Sequence, residues 1–521
     1  MLSYDELTAP ERELWNAFPE GRQVDLRPDG SESDRPVAGG GQWGPERTVR
    51  AAVLAALLLG AHGGEQGAVA CLRLTGARVT GHLDLAGAQI GYALWLADCW
   101  FDERIDLYGA STLSIAIVDS RVPGLEAGST RVEGTIDLRG SLVENTAESA
   151  HHRAVTALSL INARVSGAVI LNRARIDAQD GWAVGAGGLV MEGGFFARRL
   201  IAHGQVRLPG AQLPGGLFMN GARLESPGPR GVALALNSAV ASTLDLSRGF
   251  TANGTVRLRG ARIADNLTFE GAVLNGPPEG DGPALMGTLM QAVDFDLKLA
   301  RTPTRSVDLR GAQVSYLHEG EHSWPDVVEL DGFVYGSIKV GGEDEAGGRS
   351  EAVGTREPVA RRIAWIRRSP GYSPQPYEQL ATWYRAVGHD DDARRVLLAK
   401  QRHRRGTLRP AARAWGHLLD ATVGYGYRPW LAGVWLLTLA LLGALVFRAH
   451  TPTPVKPGEG APFQPLVYTL DLLIPIGGLG QRGGWYWTDA GVQWLAYTLV
   501  AFGWVLTTAV IAGVTRALQK N

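Results

Sequence analysis

Leucine recurs every eleven residues from residue 74 onward, and this repeat constrains the fold more than any other feature of the chain. The leucines are Leu74, Leu85, Leu96 and Leu107. In one straight strand an odd step places a side chain on the opposite face, so a turn must separate successive leucines if all of them point inward. Short strands of this kind cannot bury an apolar face alone, so successive coils must stack. The repeat therefore predicts a mainly β fold, a right-handed parallel β-solenoid.

Gly-Ala pairs mark the corners of the predicted coils. A tight corner needs a small residue or a positive φ, and glycine supplies both. If two eleven-residue steps make one coil, residues 67–341 form roughly 12 coils of about 22 residues, spaced at ~4.8 Å. A β-sandwich also has many short strands, but it lacks a corner phrase that returns at constant spacing. The pairs begin at Gly76, Gly87, Gly109, Gly210, Gly221, Gly260, Gly271 and Gly311.

The segments on either side of the solenoid are predicted to be helical or to be loops. Residues 1–66 read as a helical cap, with Thr8 and Glu11 spaced as a capping box. The apolar spacing from Pro45 to Leu59 predicts a second helix over the first coil, after a loop at 29–44. Residues 342–372 are rich in Gly and Glu and predict a linker. Residues 373–428 predict a basic helical adaptor, a tetratricopeptide-like hairpin that turns at Gly388.

Two uncharged runs near the C-terminus predict transmembrane helices. The runs lie at 430–447 and 490–515, and we place the spans at 429–448 and 490–515, followed by a tail at 516–521. Each is long enough to cross a hydrocarbon layer of about 30 Å. Tryptophan and tyrosine cluster around the run ends, Trp485 and Trp487 among them, as interface anchors do. Small residues predict the helix contacts, at Ala440, Ala444, Ala509 and Gly513.

The distribution of basic residues predicts the orientation. Eight Lys or Arg and no acid lie between Arg394 and Arg413, ahead of the first span. The positive-inside rule then places both termini in the cytoplasm, and the protein in a plasma membrane as a two-span protein. Anionic lipids of the inner leaflet are the predicted partners of the basic segment. The residues expected at the membrane interface are Arg402, Arg404, Arg405, Arg409, Arg413, Arg428, Trp430, Trp494 and Arg516.

The segment between the spans, 449–489, is predicted to be extracytoplasmic and contains a short apolar stretch. The stretch PFQPLVYTLDLLIPIGGLG is too short to span and carries an acid. It is either an interfacial amphipathic segment or a re-entrant loop, which is the plan of a pore. Two spans per chain would then have to assemble into a homo-oligomer such as a tetramer. The residues assigned to this loop are Asp471, Pro475, Gly477 and Gly478.

Three phrases match the spelling of functional motifs but lack their context. His318–His322 reads HEGEH, yet a zinc site of that type needs a helix, and here glycine interrupts a stretch flanked by strands. Thr422–Gly426 reads TVGYG, but it precedes the first span, so we expect a bend and no ion filter. The G-x-G-x-x-G phrase at Gly478 follows no strand and opens no helix, so we expect no NAD site there. No metal site, cofactor or catalytic residue is predicted.

Composition limits the remaining classes of function. Glycine makes up 68 of 521 residues, yet 45% of the chain is hydrophobic, so the glycine punctuates packed structure. The formal net charge of -1 argues against a nucleic-acid partner for the whole chain. Only Cys71 and Cys99 are present, and both are expected to be buried thiols in a reducing compartment. The acidic N-terminus does not predict a signal peptide.

Several phrases resemble an actinobacterial family labelled membrane-associated oxidoreductases. They are ELWNAFPEG, LRLTGARVTGHLDL, SWPDVVELDGFVY, PQPYEQLATWYRAVGHDDDARRVLLAKQR, GYGYRPWLAG, YTLDLLIPIGGLGQR and WVLTTAVIAG, and together they span nearly the whole chain. The resemblance implies membrane association and redox activity, although no residue set for NAD, flavin, haem or iron–sulfur accompanies it. The solenoid part is similar to bactofilins and pentapeptide-repeat proteins, which implies a scaffold.

Three hypotheses follow from the sequence. The leading one is a non-enzymatic scaffold at the cytoplasmic face of the membrane, with a protein partner on a face of the solenoid. The second is a two-helix pore that uses the loop around Asp471. The third, an oxidoreductase, rests on the family resemblance alone.

Overall fold

Two compact units make up the chain in the computed structural model. The structure describes residues 3–28, 39–145, 156–228, 230–340, 358–428, 430–456, 458, 461–474 and 478–518. The solenoid unit comprises Met1–Glu357 and Ala364–Gly371, and the C-terminal unit comprises Pro358–Ile363 and Tyr372–Asn521.

The predicted parallel β-solenoid is confirmed. Two parallel sheets run side by side through the solenoid unit, and each coil adds strands to both of them. The first sheet contains Val24–Asp25, Cys71–Thr75, Gln89–Ile90, Ala93–Ala97, Ser111–Thr112, Ile115–Val118, Arg131–Val132, Ile136–Asp137, Arg164–Val165, Val169–Ile170, Val190–Met191, Phe195–Phe196, Gln212–Leu213, Leu217–Phe218, Val240–Ala241, Leu244–Asp245, Arg262–Thr268, Gln291–Asp296, Gln313–Glu319 and Val334–Val340. The second contains Thr48–Arg50, Arg78–Thr80, Leu83–Asp84, Trp100–Phe101, Ile105–Asp106, Arg121–Val122, Leu125–Glu126, Leu142–Asn145, Thr156–Ser159, Arg175–Gly185, Ile201–Arg207, Arg223–Ser226, Val232–Ala235, Thr251–Ala252, Thr255–Arg257, Val273–Leu274, Leu285–Met286, Val307–Asp308 and Val328–Glu329.

One inward-facing row of side chains shows the coil length directly. Leu72 pairs with Leu94, which lies 22 residues on, and Leu94 pairs with Ile115, 21 residues further. All members of the row are buried, so they form a continuous apolar core. The row has twelve members, one per coil, as predicted: Leu72, Leu94, Ile115, Ile136, Val169, Phe195, Leu217, Leu244, Leu267, Phe295, Leu317 and Ile338.

The four leucines of the eleven-residue repeat are buried, as predicted, and the corners that separate them have left-handed backbone. All eight glycines of the Gly-Ala pairs have φ between 65° and 70°. Corners without glycine take the same conformation, for example Asp98 (φ 48°) and Asn162 (φ 56°). Asn and Asp tolerate this region better than other side chains. The fold therefore requires positive φ at its corners, and glycine is the commonest way in which the sequence supplies it.

The N-terminal cap extends both sheets by one strand before the first full coil. Val24–Asp25 pairs with Leu74–Thr75, and Thr48–Arg50 pairs with Arg78–Thr80. Helix α1 (Ala9–Ala17) begins with the predicted capping box of Thr8 and Glu11. Covering the first coil in this way protects the strand edges that a solenoid would otherwise expose.

The second predicted helix of the cap is shorter than expected. Pro45–Arg47 forms a 3-10 turn, Thr48–Arg50 is a strand, and helix α2 spans only Ala51–Leu58. Pairing of the strand with the first coil overrides the local helical spacing, because it satisfies backbone groups at the sheet edge. Of the predicted loop at 29–44, residues 29–38 lie outside the described part, and Gly40–Gln42 forms a 3-10 turn; another spans Tyr4–Glu6.

The segment predicted to be a linker contains helix α3 (Val359–Ile366). Its Trp365 packs on Trp324 and Tyr335 of the last coils, with ring centroids 5.0 and 6.2 Å apart. Arg368 donates hydrogen bonds to the carbonyls of Trp324 and Pro325. Residues 364–371 therefore cap the C-terminal end of the solenoid, while 341–357 lie outside the described part.

The C-terminal unit is helical. Helix α4 (Gln375–Ala386) and helix α5 (Asp390–Gly406) form the predicted hairpin, which turns at Gly388 (φ 81°). Helix α6 (Pro410–Val423) and a 3-10 turn at Gly424–Gly426 lead into helix α7 (Trp430–Arg448). Helix α8 (Pro465–Leu473) and helix α9 (Ala490–Leu518) complete the unit, with a two-stranded antiparallel pair, Thr453–Pro454 and Trp485–Tyr486.

Candidate functional site: a half-length helix between two apolar helices

Helices α7 and α9 are long and apolar enough to cross a membrane. The qualifying segments, Trp430–Arg448 and Ala490–Thr508, have mean hydropathies of 2.2 and 1.3 and are 22% and 28% buried within the chain. Most of their apolar surface therefore faces outward, as the 63% exposure of Leu437 and 65% exposure of Val505 show. A helix from the core of a soluble protein would instead be mostly buried.

Helix α8 packs between these two helices. Its nine residues give a length of about 13.5 Å, less than half of the hydrocarbon thickness. Tyr468, Leu472 and Leu473 of α8 belong to one apolar core with Ala440 of α7 and Leu499 of α9. The helix is therefore an integral part of the helical unit, and it cannot cross a membrane alone.

Two glycines allow the close approach of α8. A Cβ atom at Gly503 of α9 would lie 2.3 Å from the carbonyl oxygen of Leu473, and one at Gly443 of α7 would lie 3.2 Å from Leu499 and closer still to Thr469. An added Cβ would collide with its neighbours at these distances. The close approach of the helices therefore depends on glycine at both positions. Of the small residues predicted at helix contacts, Ala440 is buried. Ala444 is half-buried, and the side chains of Ala509 and Gly513 lie outside the described part.

The chain enters and leaves this core at one end, which we call the loop end. Phe447, one residue before α7 ends, contacts Tyr468 near the start of α8, and Trp487, just before α9, contacts both. The far end of α8 is deep, because Leu473 contacts Gly503, 13 residues beyond Ala490 and therefore about 20 Å along α9. The segment thus runs away from the loop end as α8, and the described residues 478–484 return toward that end without forming a helix.

The carboxylate of Asp471 holds the returning chain. It accepts hydrogen bonds from the backbone N–H groups of Leu479 (2.7 Å), Gln481 (2.9 Å) and Arg482 (2.7 Å). Asp471 itself is 4% exposed. Gln481 adds a hydrogen bond from its side-chain nitrogen to the carbonyl of Pro462. Because three backbone N–H groups of the returning chain donate to this one buried carboxylate, Asp471 organises the loop.

The predicted loop residues are only partly described. Asp471 and Gly478 come together at the returning chain, whereas Pro475 and Gly477 lie outside the described part. The structure shows that α8 packs against both long helices, while the choice between an interfacial segment and a re-entrant loop stays a prediction. Sequence reasoning missed Gly443 and Gly503, because only the register between α8 and its neighbours singles them out.

The tryptophans around the run ends do not share one role. Trp430 and Trp494 are 64% and 70% exposed, as interface anchors would be. Trp487, predicted to be an anchor, is 6% exposed and donates a hydrogen bond to the hydroxyl of Tyr468. Its ring stacks on Phe447 at 5.0 Å. Trp487 is therefore part of the core, since it closes the loop end over α8.

The basic segment is partly neutralised by acids outside it. Arg402 and Arg405 both pair with Asp420 of α6, at 3.0 Å each. Burial alone would raise the pKa of Asp420, but these hydrogen bonds hold it below its ordinary value. Two further bases of α5 pair with the acids of its first turn, and Lys400 pairs with Glu378. Counting the charges of the segment alone missed these partners.

Four predicted interface arginines remain available for other partners. Arg404, Arg409, Arg413 and Arg428 are exposed and form no ion pair within the described residues. Arg413 donates only to the carbonyls of Gly406 and Leu408. The side chain of Arg516 lies outside the described part. Headgroup contact of the predicted interface residues stays a prediction.

The side chains of the HEGEH segment form hydrogen bonds with other residues of the solenoid. His318 lies on a strand and contacts Asp294 at 3.1 Å, whereas His322 contacts Thr302 at 3.3 Å and Glu319 accepts the indole N–H of Trp324. The two histidines therefore have separate partners. Across the described ranges, no group of three or more His, Cys, Asp or Glu is arranged to hold a metal ion.

The TVGYG motif and the two cysteines agree with their predictions. TVGYG ends α6 and forms a bend, with Gly424 and Tyr425 at φ 55° and 54°. Cys71 and Cys99 are buried free thiols. Burial raises the pKa of Cys99 to about 12, so its thiol stays protonated and a poor nucleophile at neutral pH.

Comparison with protein-family models, curated proteins and solved structures finds no match to this chain.

Proposed function

We propose that this protein forms an oligomeric membrane pore in which the loop after α8 lines the pathway. The observation that carries the proposal is an exposed stretch of non-helical backbone that lies away from the loop end, between the two long helices' ends. Gly478, Leu479 and Gly480 are exposed and non-helical, at the level where Asp471 meets the returning chain. Non-helical backbone at membrane depth is stable only where protein covers it or where it lines a water-filled cavity.

One copy alone cannot provide that cover. Each chain contributes two apolar helices and one half-length helix. The exposed loop and the exposed Arg482 would face lipid in a monomer, and a charge in that position is costly. Copies arranged around a central axis would place the loops together and leave the outer faces of α7 and α9 to lipid. The proposal therefore includes a homo-oligomer.

The orientation of the proposed pore follows from charge. Arg404, Arg409, Arg413 and Arg428 precede the first span and form no ion pair within the described residues. By the positive-inside rule they support a cytoplasmic position for that end of α7 and for the solenoid before it, at a plasma membrane. Each arginine near anionic headgroups contributes about 1 kcal/mol of attraction.

Ion flux through the full chain in liposomes tests the pore. We expect potassium or sodium flux in proteoliposomes, and a loss of at least about tenfold in Asp471→Asn, because the amide places N–H donors against backbone N–H groups. The matched control is Asp489→Asn, which removes an exposed carboxylate that accepts the N–H of Gly491. Absence of ion flux in proteoliposomes that contain the parental chain would contradict the proposal, and so would a monomeric state in nanodiscs.

A second candidate function, the membrane-anchored scaffold, is favoured by one feature of the solenoid. Ile170, Phe196 and Phe218 form an outward-facing apolar row on the first sheet, and the two phenylalanine rings stack at 5.2 Å. Apolar rows on a solvated face often mark protein contacts. A partner that needs this row should be lost from Phe196→Ser but retained by Thr268→Ala in the same outward row. Equal retention by both variants would remove the support of this row for a scaffold.

A further inference from the structure

Three backbone N–H groups of the chain after α8 point at the carboxylate of Asp471. The donors are Leu479, Gln481 and Arg482, with N···O distances of 2.7, 2.9 and 2.7 Å. The acceptor is 4% exposed and lies on α8, which packs into the apolar core of the helical unit. These N–H groups therefore face the protein interior, and Asp471 fixes the direction of the three peptide groups that carry them.

The carbonyl oxygens of the same peptide groups point the opposite way. The described peptide bonds are all trans, and a trans peptide carries its N–H and its C=O on opposite sides. The carbonyls concerned belong to Gly478, Gly480 and Gln481. The carbonyl of Gln481 accepts the N–H of Gly484, whereas no hydrogen bond among the described residues reaches those of the two glycines. Both glycines are exposed, so two carbonyl oxygens per chain face outward.

These outward carbonyls suit a cation better than they suit lipid. Inside a hydrocarbon layer an unpaired carbonyl costs several kcal/mol, so it requires water or an ion as a partner. A hydrogen bond to an anion polarises the donating peptide group, which increases the partial negative charge on its oxygen. The buried carboxylate of Asp471 thus makes Gly478 and Gly480 better cation ligands.

Arg482 is the one charged residue between positions 478 and 484, and its charge opposes cation binding. The side chain is exposed and forms no ion pair within the described residues. Salt screens an exposed charge over about 10 Å, whereas a buried charge such as that of Asp471 is screened much less. The fixed groups nearest the two carbonyls therefore favour a cation, and Arg482 reduces that preference without reversing it.

We propose that the carbonyl oxygens of Gly478 and Gly480 select the ion in the pore and bind a monovalent alkali cation such as potassium. The inference rests on the proposed pore, in which copies around an axis bring two carbonyls from each chain together. Rings of backbone carbonyls can replace the hydration shell of such an ion. Calcium sites draw on carboxylates as well, and the one carboxylate here is turned toward the N–H groups behind the carbonyls.

Reversal potentials of the full chain in planar bilayers, measured under a KCl gradient, test the assignment. We expect potassium to permeate at least about tenfold better than chloride. Gly480→Val should lose most of this preference, because φ at Gly480 is 80° and a β-branched residue avoids that region, so the peptide group must rotate. The matched control is Gly483→Val in the same loop, where φ is not positive and an added Cβ meets nothing within 4 Å, as at Gly480.

The outcomes separate the ion assignment from the pore itself. A parental chain that conducts no ions would contradict the pore, and the ion assignment with it. Conduction that favours chloride, or that does not discriminate, would leave the pore standing and overturn the cation assignment. An unchanged preference in Gly480→Val would overturn the role of the carbonyls. Arg482→Gln, which leaves the backbone in place, should keep or increase the preference for potassium, and a loss of preference in that variant would also overturn the proposal.

Discussion

Glu11 joins the N-terminal cap to the first coil at the scale of a single carboxylate. It accepts the backbone N–H of Thr8 and two hydrogen bonds from the guanidinium of Arg50, at 2.7 and 2.6 Å. Its side chain is only 1% exposed. Burial alone would raise the pKa of Glu11, but the hydrogen bonds from Arg50 and from backbone groups lower it below its ordinary value.

Glu11→Gln is expected to loosen the cap by about 2 kcal/mol at neutral pH, since it weakens charge-assisted hydrogen bonds to a buried carboxylate. Because the folded pKa is lowered, this stabilisation is complete above the unfolded value of about 4.3 and is lost as the pH falls through the lower folded value. Hydrogen exchange in the first coils should be faster in Glu11→Gln than in the parental chain at pH 7, and the difference should be smaller in acid. Glu13→Gln, at an exposed position, is the control, and equal effects of the two variants would contradict the assignment.

Corner residues show how far single positions were predictable. The Gly-Ala phrase identified eight corners correctly, because glycine is the plainest sign of a positive φ. Corners at Asp98, Asn162 and Arg173 were not recognised, since an ordinary side chain in the left-handed region leaves no mark in the sequence.

Gly87 and Gly91 separate backbone strain from packing. Neither glycine has an atom within 4 Å of an added Cβ, but only Gly87 has positive φ (67°). We expect Gly87→Ala to destabilise the solenoid by about 1 kcal/mol and Gly87→Asn to cost less, while Gly91→Ala is neutral or stabilising. Thermal unfolding followed by the β-sheet circular dichroism measures all three. An alanine at Gly91 as costly as one at Gly87 would argue against the corner conformation.

At the scale of elements, the packing of α8 against α7 and α9 determines how the helices of the C-terminal unit are arranged. The sequence predicted the two long apolar helices and the α4–α5 hairpin, because their length and periodicity are local properties. It left α8 ambiguous, since a nine-residue apolar helix is compatible with an interfacial position and with a buried one. The Asp471 hydrogen bonds and the α8 contacts depend on register between distant segments, which no local pattern reveals.

Gly503→Ala tests the packing of α8 against α9. The added Cβ would meet the backbone of Leu473, which cannot move without displacing α8, so we expect a loss of about 2 kcal/mol and reduced flux. Gly433→Ala is the matched control on α7, where nothing lies within 4 Å and alanine favours helix. Thermal unfolding in detergent compares them. If Gly503→Ala is as stable as Gly433→Ala, α8 does not pack as the structure shows.

At the scale of the whole molecule, a solid-cored solenoid and a helical unit with outward apolar faces share one chain. The twelve-coil solenoid followed from the repeat alone, because every coil obeys the same local rule. The N-terminal cap was predicted as helices, but its strands Val24–Asp25 and Thr48–Arg50 were not, and neither was the C-terminal cap at Trp365, because these residues owe their places to pairing or packing with the coils.

Cysteine accessibility in intact membranes tests the central claim, that α7 and α9 lie in lipid with the loop end outside. Cys71 and Cys99 are buried, so they leave a low background for single introduced cysteines. We predict that a water-soluble maleimide labels Gly483→Cys from outside, labels Arg404→Cys only after permeabilisation, and leaves Leu437→Cys and Val505→Cys unlabelled until detergent is added. Labelling of Leu437→Cys and Val505→Cys in intact membranes, or of Arg404→Cys from outside, would contradict the account.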